Sequence, residues 1–258
     1  MGFPLTIVFS GSRRVRAFPP VRLHPVIRIG RSLRRALPGI MHPKHIFITG
    51  GTGYLGRHLI PEPLRRGHQV RALARPGSEK KLAAGCEAAV GDALRAETFA
   101  SRIAPADTFI QLVGVAHPGP AKAKQFREID LVSAKAGIAA AKEAGIRHFI
   151  YVSVAQPAPM MKAYQAVRAE AEATLRATGM NATVLRPWYI LGPGHRWPYL
   201  ILPGYWIGEL LPATREGARR LGLVTLRQMI TALVRAVEHP ASSTAIIDVP
   251  AIRAARLL

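Results

Sequence analysis

Short apolar runs recur along this chain and alternate with longer segments whose apolar positions return every three or four residues. The runs lie near 45–49, 69–74, 87–90, 107–113, 148–153, 183–187 and 244–248. The helical spacing covers about 54–66, 78–84, 94–103, 122–144, 164–178 and 225–237. A short apolar run bounded by turn formers suits a strand buried on both faces. Such strands alternating with helices predict a parallel sheet with right-handed crossovers and helices on both sides, an α/β doubly wound fold. Pro61 and Pro63 fall inside the first helical segment. Each removes a backbone hydrogen bond and crowds the preceding turn, so a kink or an early end is expected there. The last helical segment sets Leu226, Met229, Ile230, Leu233 and Val237 on one stripe, which reads as a packing helix.

The first run, Ile46 to Ile48, hands over to a turn with glycines at 50, 53 and 56, and a helical pattern follows. The segment TGGTGYLG has the geometry a pyrophosphate needs. Gly50 permits the tight turn, Gly53 lets backbone approach the phosphates, and Gly56 lets the helix lie close to the strand. The helix start then offers unpaired N–H groups and a positive dipole end to the anion. Gly50, Thr52, Gly53, Tyr54, Leu55 and Gly56 are therefore expected to hold a dinucleotide in a Rossmann-type fold. The second run decides which one. Sites for the unphosphorylated cofactor place an acid about 20 residues beyond the glycines. Here HQVRALARPGS ends on Arg75 instead. A guanidinium there suits a 2′-phosphate, so NADP(H) is preferred and NAD(H) is the alternative. Arg71 lies on the strand itself and reads as part of a solvated face.

With its glycine spacing, GDAL at 91–94, YVSV at 151–154, YQAVRAEAE at 164–172 and VLRPWYILGPG at 184–194, the chain resembles the short-chain dehydrogenase/reductase superfamily from about Lys44 to Pro250. The fit is to the extended and atypical branches, among them epimerase/dehydratase-like, NmrA-like and complex I accessory-subunit-like proteins. The resemblance implies that Asp92 and Ala93 contact adenine, and that Leu112, Val113 and Gly114 pass beneath the cofactor. It also implies that Pro187 and Trp188 lie near the nicotinamide. Asp92 could equally cap the next helix, and His117 could face a substrate or simply the solvent. Enzymes of this superfamily use a Tyr as proton donor, a Lys four residues on, and a Ser on the preceding strand. Tyr164, Ser153 and position 168 have that arrangement, but position 168 is Arg. One helical turn places the two side by side. A guanidinium can favour a phenolate and bind a ribose hydroxyl, yet it cannot release a proton. Tyr164 could otherwise be a stacking aromatic, and Ser153 could bond only to backbone.

Composition changes the picture in a few places. Trp188, Tyr189, Trp197, Tyr199, Tyr205 and Trp206 crowd one stretch, which suits either an apolar substrate pocket or a small C-terminal core. Met160 and Met161 could close the same cavity. The single Cys86 fits a reducing cytoplasm. No apolar run reaches membrane-spanning length, and no metal site is expected. The net charge is +21, and residues 1–40 hold eight arginines and no acid. That leader reads as a disordered basic extension, either a true tail or an artefact of a start codon upstream of Met41. Residues 41–250 read as the dinucleotide-binding domain, with 188–225 supplying a small substrate region and 251–258 a tail. The remaining basic residues are scattered, and no nucleic-acid module appears, so nucleic acid is not an expected partner. Two classes remain. One is an NADP-dependent oxidoreductase or epimerase acting on a bulky apolar or carbonyl-containing small molecule. The other is a dinucleotide sensor or assembly factor without catalysis. The Ala-rich stretch 134–144 would suit either a homodimer interface or close packing on the sheet.

Overall fold

The computed structural model describes residues 42–194 and 210–257, with positions 204, 207 and 208 between them. The basic leader 1–40 lies outside the described residues, as do Trp197, Tyr199, Tyr205 and Trp206. Seven parallel strands form one sheet: β1 (His45–Thr49), β2 (Gln69–Ala74), β3 (Glu87–Val90), β4 (Thr108–Gln111), β5 (His148–Val152), β6 (Ala182–Leu185) and, late in the chain, β9 (Thr244–Ile247). Their spatial order is β3-β2-β1-β4-β5-β6-β9. The order reverses between β1 and β4, and a doubly wound sheet opens its ligand crevice at such a point. A second, two-stranded parallel sheet pairs β7 (Tyr189–Leu191) with β8 (Leu223–Thr225).

Alternation along each strand sends side chains to two cores. Phe47, Phe109 and Phe149 are register neighbours on β1, β4 and β5 and point to one face. Their rings lie 5.3 Å and 5.0 Å apart, a spacing worth about 0.5–1.5 kcal/mol per pair beyond burial. Ile46, Ile48, Ile110 and Ile150 point to the other face. The phenylalanine face is covered by α4 (Val132–Glu143) and α5 (Lys162–Ala177). The isoleucine face is covered by α1 (Tyr54–Leu59), α2 (Pro61–Arg65), α7 (Leu226–Glu238) and α8 (Val249–Ala254). A short α3 (Ala123–Gln125) precedes α4, and α6 (Pro212–Arg220) precedes β8.

The Ala-rich stretch is used against the sheet. Ala134, Ala140 and Ala141 are fully buried, and a Cβ on Gly137 would come within 3.3 Å of the Phe109 ring and 2.9 Å of Gln111 Oε1. Small side chains let α4 lie that close. Gln111 is itself a buried relay: Thr49 Oγ1 donates to its Oε1 at 2.5 Å, and its Nε2 donates to Ser133 Oγ at 3.2 Å.

Several expected elements differ. The first helix breaks at Ile60, where Pro61 becomes the opening residue of α2, a place where its missing N–H costs nothing. The segment 78–84 forms one 3₁₀ turn, Glu79–Lys81, between Gly77 and Gly85, both at positive φ. The segment 94–103 forms two 3₁₀ turns, Ala96–Thr98 and Ala100–Arg102, because Phe99 between them turns into the core at φ −138°. Arg71 is half-buried at the surface and is held there by partners. Its guanidinium donates to the carbonyls of Arg102 and Ala104 at 2.7 Å and pairs with Glu87 at 2.9 Å. Residues 251–254, expected in a tail, belong to α8, where Val249 and Ile252 are fully buried.

His148 is buried at the start of β5, with Nε2 2.9 Å from Thr183 Oγ1 and no partner for Nδ1. Burial pushes its imidazole down to about 4 from an ordinary 6.5, so the folded chain keeps it neutral. Unfolding restores the ordinary value, and the unfolded chain takes up the proton between pH 6.5 and 4. This contribution to stability is therefore complete above pH 6.5 and is lost as pH falls toward 4, about 3 kcal/mol in all. His68 is shifted in the same direction, chiefly by burial. Urea denaturation at stepped pH should show unfolding free energy falling below pH 6.5, with a shallower slope in His148→Gln.

Candidate active site

The residues singled out from the sequence gather at the carboxyl ends of the strands. The glycine turn follows β1, Arg75 follows β2, Asp92 and Ala93 follow β3, Leu112 to Gly114 follow β4, Ser153 follows β5 and Pro187 follows β6. The turn fits a close approach to phosphate. Gly50 sits at φ +75°, Gly53 donates its N–H to the Gly50 carbonyl at 3.0 Å, and no side chain caps the start of α1. A Cβ on Gly56 would strike the Gly50 carbonyl, so the helix stands against the turn as a glycine alone allows. Arg75 is exposed. Asp92 makes a local turn, accepting the Leu94 N–H at 3.0 Å, while its own N–H donates to Thr98 Oγ1 at 2.9 Å.

Beside this rim lies a cavity of about 300 Å³. Tyr54, Ser153, Met161, Tyr164, Pro187 and Trp188 line it, with His117, Tyr189 and Ile190. Its walls are mostly apolar. Two of its residues, His117 at φ 49° and Met161 at φ 59°, are the non-glycine residues at positive φ among the described residues. That conformation costs energy for a side chain bearing a Cβ, and it concentrates at ligand sites.

Behind Tyr164 the chemistry is ionic. Arg168 is buried, with Nη2 donating to Asp130 Oδ1 at 2.5 Å and Nη1 donating to Tyr151 Oη at 3.2 Å and to the Val152 carbonyl at 3.0 Å. Its guanidinium carbon lies 5.0 Å from the Tyr164 ring centre. The cation therefore stands against the face of the aromatic, as the one-turn spacing requires. Nη1 spends both of its hydrogens on Tyr151 and Val152, and Nη2 spends one of its two on Asp130. Asp130 also accepts the Val115 N–H at 2.9 Å. It lies in a π-helical segment, Phe126–Leu131, and such segments recur at functional sites. A Cβ on Gly114 would fall 2.5 Å from Arg168 Nη2 and 3.1 Å from Asp130 Oδ1. The backbone thus runs directly over the ion pair, and a side chain there would displace it.

Ser153 is similarly occupied. It donates to Glu172 Oε1 at 2.6 Å. Glu172 also takes Gln156 at 2.9 Å, Arg176 at 3.3 Å and a bidentate pair from Arg186 at 3.0 Å and 2.5 Å. Burial alone would raise this carboxyl, but the hydrogen bonds from Arg186 and Ser153 outweigh it and hold Glu172 below its ordinary range. The network ties α5 to the ends of β5 and β6, the two strands that deliver Ser153 and Pro187.

Sequence reasoning did not pick out Asp130, Tyr151, Glu172 or Arg186. Glu172 had one signal, its i, i+4 spacing to Arg168 and Arg176, and Asp130 had none beyond an acid within a helical segment.

The family model described as NAD(P)H-binding matches residues 50–196. A 4-hydroxy-2-methyl-3-oxo-4-farnesyl-3,4-dihydroquinoline-1-oxide ketoreductase of Stigmatella aurantiaca is 30% identical over 168 residues, covering 57% of this chain and 50% of that protein. A ceramide reductase of Caulobacter vibrioides (strain NA1000 / CB15N) is 32% identical over 152 residues, covering 58% of this chain and 47% of that protein. The chain thus spans about half the length of these relatives. The Bordetella bronchiseptica enzyme WbmH, solved in complex with NAD+, superposes with a TM-score of 0.60 at 20% identity, over 79% of this chain and 75% of its own. That likeness is one of fold.

Removing Asp130 would leave a buried guanidinium without its counter-charge. Asp130→Ala is expected to lower stability by about 3–5 kcal/mol, read as a fall of roughly 10 °C in melting temperature. Arg75→Ala, at the exposed rim, should leave the melting temperature unchanged.

Proposed function

The chain belongs to the NAD(P)H-binding family, and from that premise we propose that it is an NADP(H)-dependent oxidoreductase or epimerase acting on a bulky, apolar, carbonyl-bearing small molecule. The observation that carries this reading is Tyr164 in the wall of an apolar cavity, backed by the Arg168 guanidinium and adjoining the glycine turn through Tyr54. Gly50, Thr52, Gly53, Leu55 and Gly56 would hold the pyrophosphate, and Asp92, Ala93 and Leu112 to Gly114 the adenosine half. Arg75 would take the 2′-phosphate. Bound there, a nicotinamide supplies or accepts a hydride. The chain's own residues do the rest. Tyr164 moves the proton at its phenolic oxygen, and the Arg168 cation stands against its ring and holds it in place. Trp188, Pro187 and Met161 exclude water and seat the apolar body of the substrate. Ser153 holds the Tyr164 side of the pocket through Glu172 rather than touching the proton. Residues 41–250 act as one dinucleotide-binding domain, with the β7–β8 pair framing the substrate side. A cytoplasmic setting fits the free Cys86, whose thiol burial pushes up to about 11 and so keeps unreactive.

One observation favours the second reading, a dinucleotide sensor or assembly factor. Arg168 and Ser153 spend their polar atoms on buried acids, as a framework does. Hydride exchange separates the two readings.

Calorimetric titration should show tighter binding of NADPH than of NADH. Arg75→Ala should cost NADPH roughly tenfold in affinity and leave NADH untouched, since one charge-assisted phosphate contact is worth about 1.5–3 kcal/mol at best and less when exposed. Equal loss for both nucleotides would contradict the assigned 2′-phosphate contact.

Turnover of NADPH with hydrophobic ketones should fall about 100-fold or more in Tyr164→Phe at unchanged nucleotide affinity. A wild-type chain that binds NADPH yet exchanges no hydride with any of them would favour the sensor.

A further inference from the structure

One wall of the cavity is a loop rather than a strand or helix, and a single glutamine binds its far end. The loop, residues 153–161, joins β5 to α5. Its near end is tied by Gln156, whose Nε2 donates to Glu172 at 2.9 Å, and by the Pro157 carbonyl, which accepts from Arg220 Nε at 3.1 Å. From Ala158 onward it is bound to Gln165, in the first turn of α5. Gln165 Oε1 accepts the Ala158 N–H at 2.8 Å, and Nε2 donates to the carbonyls of Ala158 at 3.0 Å and Met160 at 2.5 Å. Its backbone N–H donates to the Met161 carbonyl at 3.0 Å. The amide carries an acceptor and two donors, and they meet one N–H and two carbonyls.

What Gln165 holds is a conformation that needs support. Met161 sits at φ 59° and ψ 36°, in the left-handed region, and begins α5 with no side-chain hydrogen bond to cap it. A residue with a Cβ is strained there, and glycine is the usual occupant. Met161 nevertheless lines the cavity and packs against the same core as Tyr164, whereas Met160 beside it is exposed. Of the two methionines expected to close the cavity, the left-handed residue is the one delivered to it.

We propose that Met161 sets how bulky a carbonyl compound the cavity admits, and that Gln165 is the positioning residue that keeps it there. The inference rests on the oxidoreductase or epimerase reading of the same cavity. A methionine side chain is unbranched and adaptable, so it makes a defined wall only where its backbone is fixed. The described lining of the cavity does not include Gln165, so its effect reaches a ligand through Met161.

The test is methyl NMR on the full chain with isotopically labelled methionines, titrated with acetonaphthone as a bulky apolar ketone. Met161→Gly identifies the Met161 resonance by its disappearance. The ketone is expected to shift that resonance in the wild type. Gln165→Ala and Gln165→Glu should both move it before any ligand is added. Both should weaken ketone binding about tenfold, because a wall that must be ordered on binding costs affinity. Glu keeps the length and loses the donors, so a steric role would survive that change and the clamp would not. NADPH affinity should stay at the wild-type value in both. Met161→Gly relieves the left-handed residue and should not lower the melting temperature. It should shift preference toward acetonaphthone over acetophenone about tenfold. Wild-type ketone affinity in both Gln165 variants, or a Met161 resonance that the ketone leaves in place, would overturn the proposal. So would loss of NADPH affinity in them, which would make Gln165 a residue of the fold at large. In turnover, the Gln165 variants should raise KM about tenfold at nearly unchanged kcat. A wild-type chain that binds the ketone and transfers no hydride would end the proposed activity and leave the methionine comparison standing.

Discussion

The buried pair of Arg168 and Asp130 sets the terms for everything around the cleft. A guanidinium taken out of water costs several kcal/mol unless its charge and its N–H groups are answered. Here Asp130, Tyr151 Oη, the Val152 carbonyl and the Tyr164 ring answer it from four directions. Those partners come from the π-helical segment, β5 and α5, so the pair fixes three elements against one another at the site. It also dictates the loop after β4. Gly114 must be glycine, because any Cβ would occupy the space of Arg168 Nη2. The backbone that passes over the pair is the backbone assigned to the cofactor. The shape of the dinucleotide site thus depends on an ion pair that the dinucleotide need not touch.

A second ionic knot does the same for the far side. Glu172 receives Ser153, Gln156, Arg176 and Arg186, and so joins the ends of β5 and β6 to α5. Both knots hang on α5, through Arg168 and Glu172 one turn apart. α5 is consequently held at two points along one face, and Tyr164 sits one turn before the first. Lys in place of Arg168 would bring a single ammonium where three guanidinium N–H groups now reach Asp130, Tyr151 and Val152 in different directions. The arginine is understandable as the residue that completes the core. On the proposed reading the proton chemistry falls to Tyr164, because a guanidinium does not release its proton.

The sheet was legible in the sequence because strands buried on both faces write continuous apolar runs, and β1, β2 and β3 fall on the expected residues. Helices were less legible where local geometry overrode spacing. Phe99 turns into the core and splits one segment, and positive-φ glycines close another to a single turn. The β7–β8 pair escaped notice because three residues per strand carry no period. The site divides in the same way. The glycine turn is readable because its function is carried by backbone, which only glycine can bring that close. The buried acids were not readable, since Asp130 and Glu172 look in sequence like any acid on a solvated helix. Gly114 held the missing signal: a small residue after β4 announces something beneath it, and that something is the ion pair.

The interior of the cleft spends its charges inward, on acids that never meet water, and so leaves the cavity wall apolar. Had the cavity been built for a polar sugar, its wall would be expected to present hydroxyl-binding amides and acids. Its described lining is instead mostly aromatic, aliphatic and proline, with His117 among them and Ser153 donating to Glu172. A mostly apolar cavity at the carboxyl ends of the strands suits the apolar ligand proposed for it.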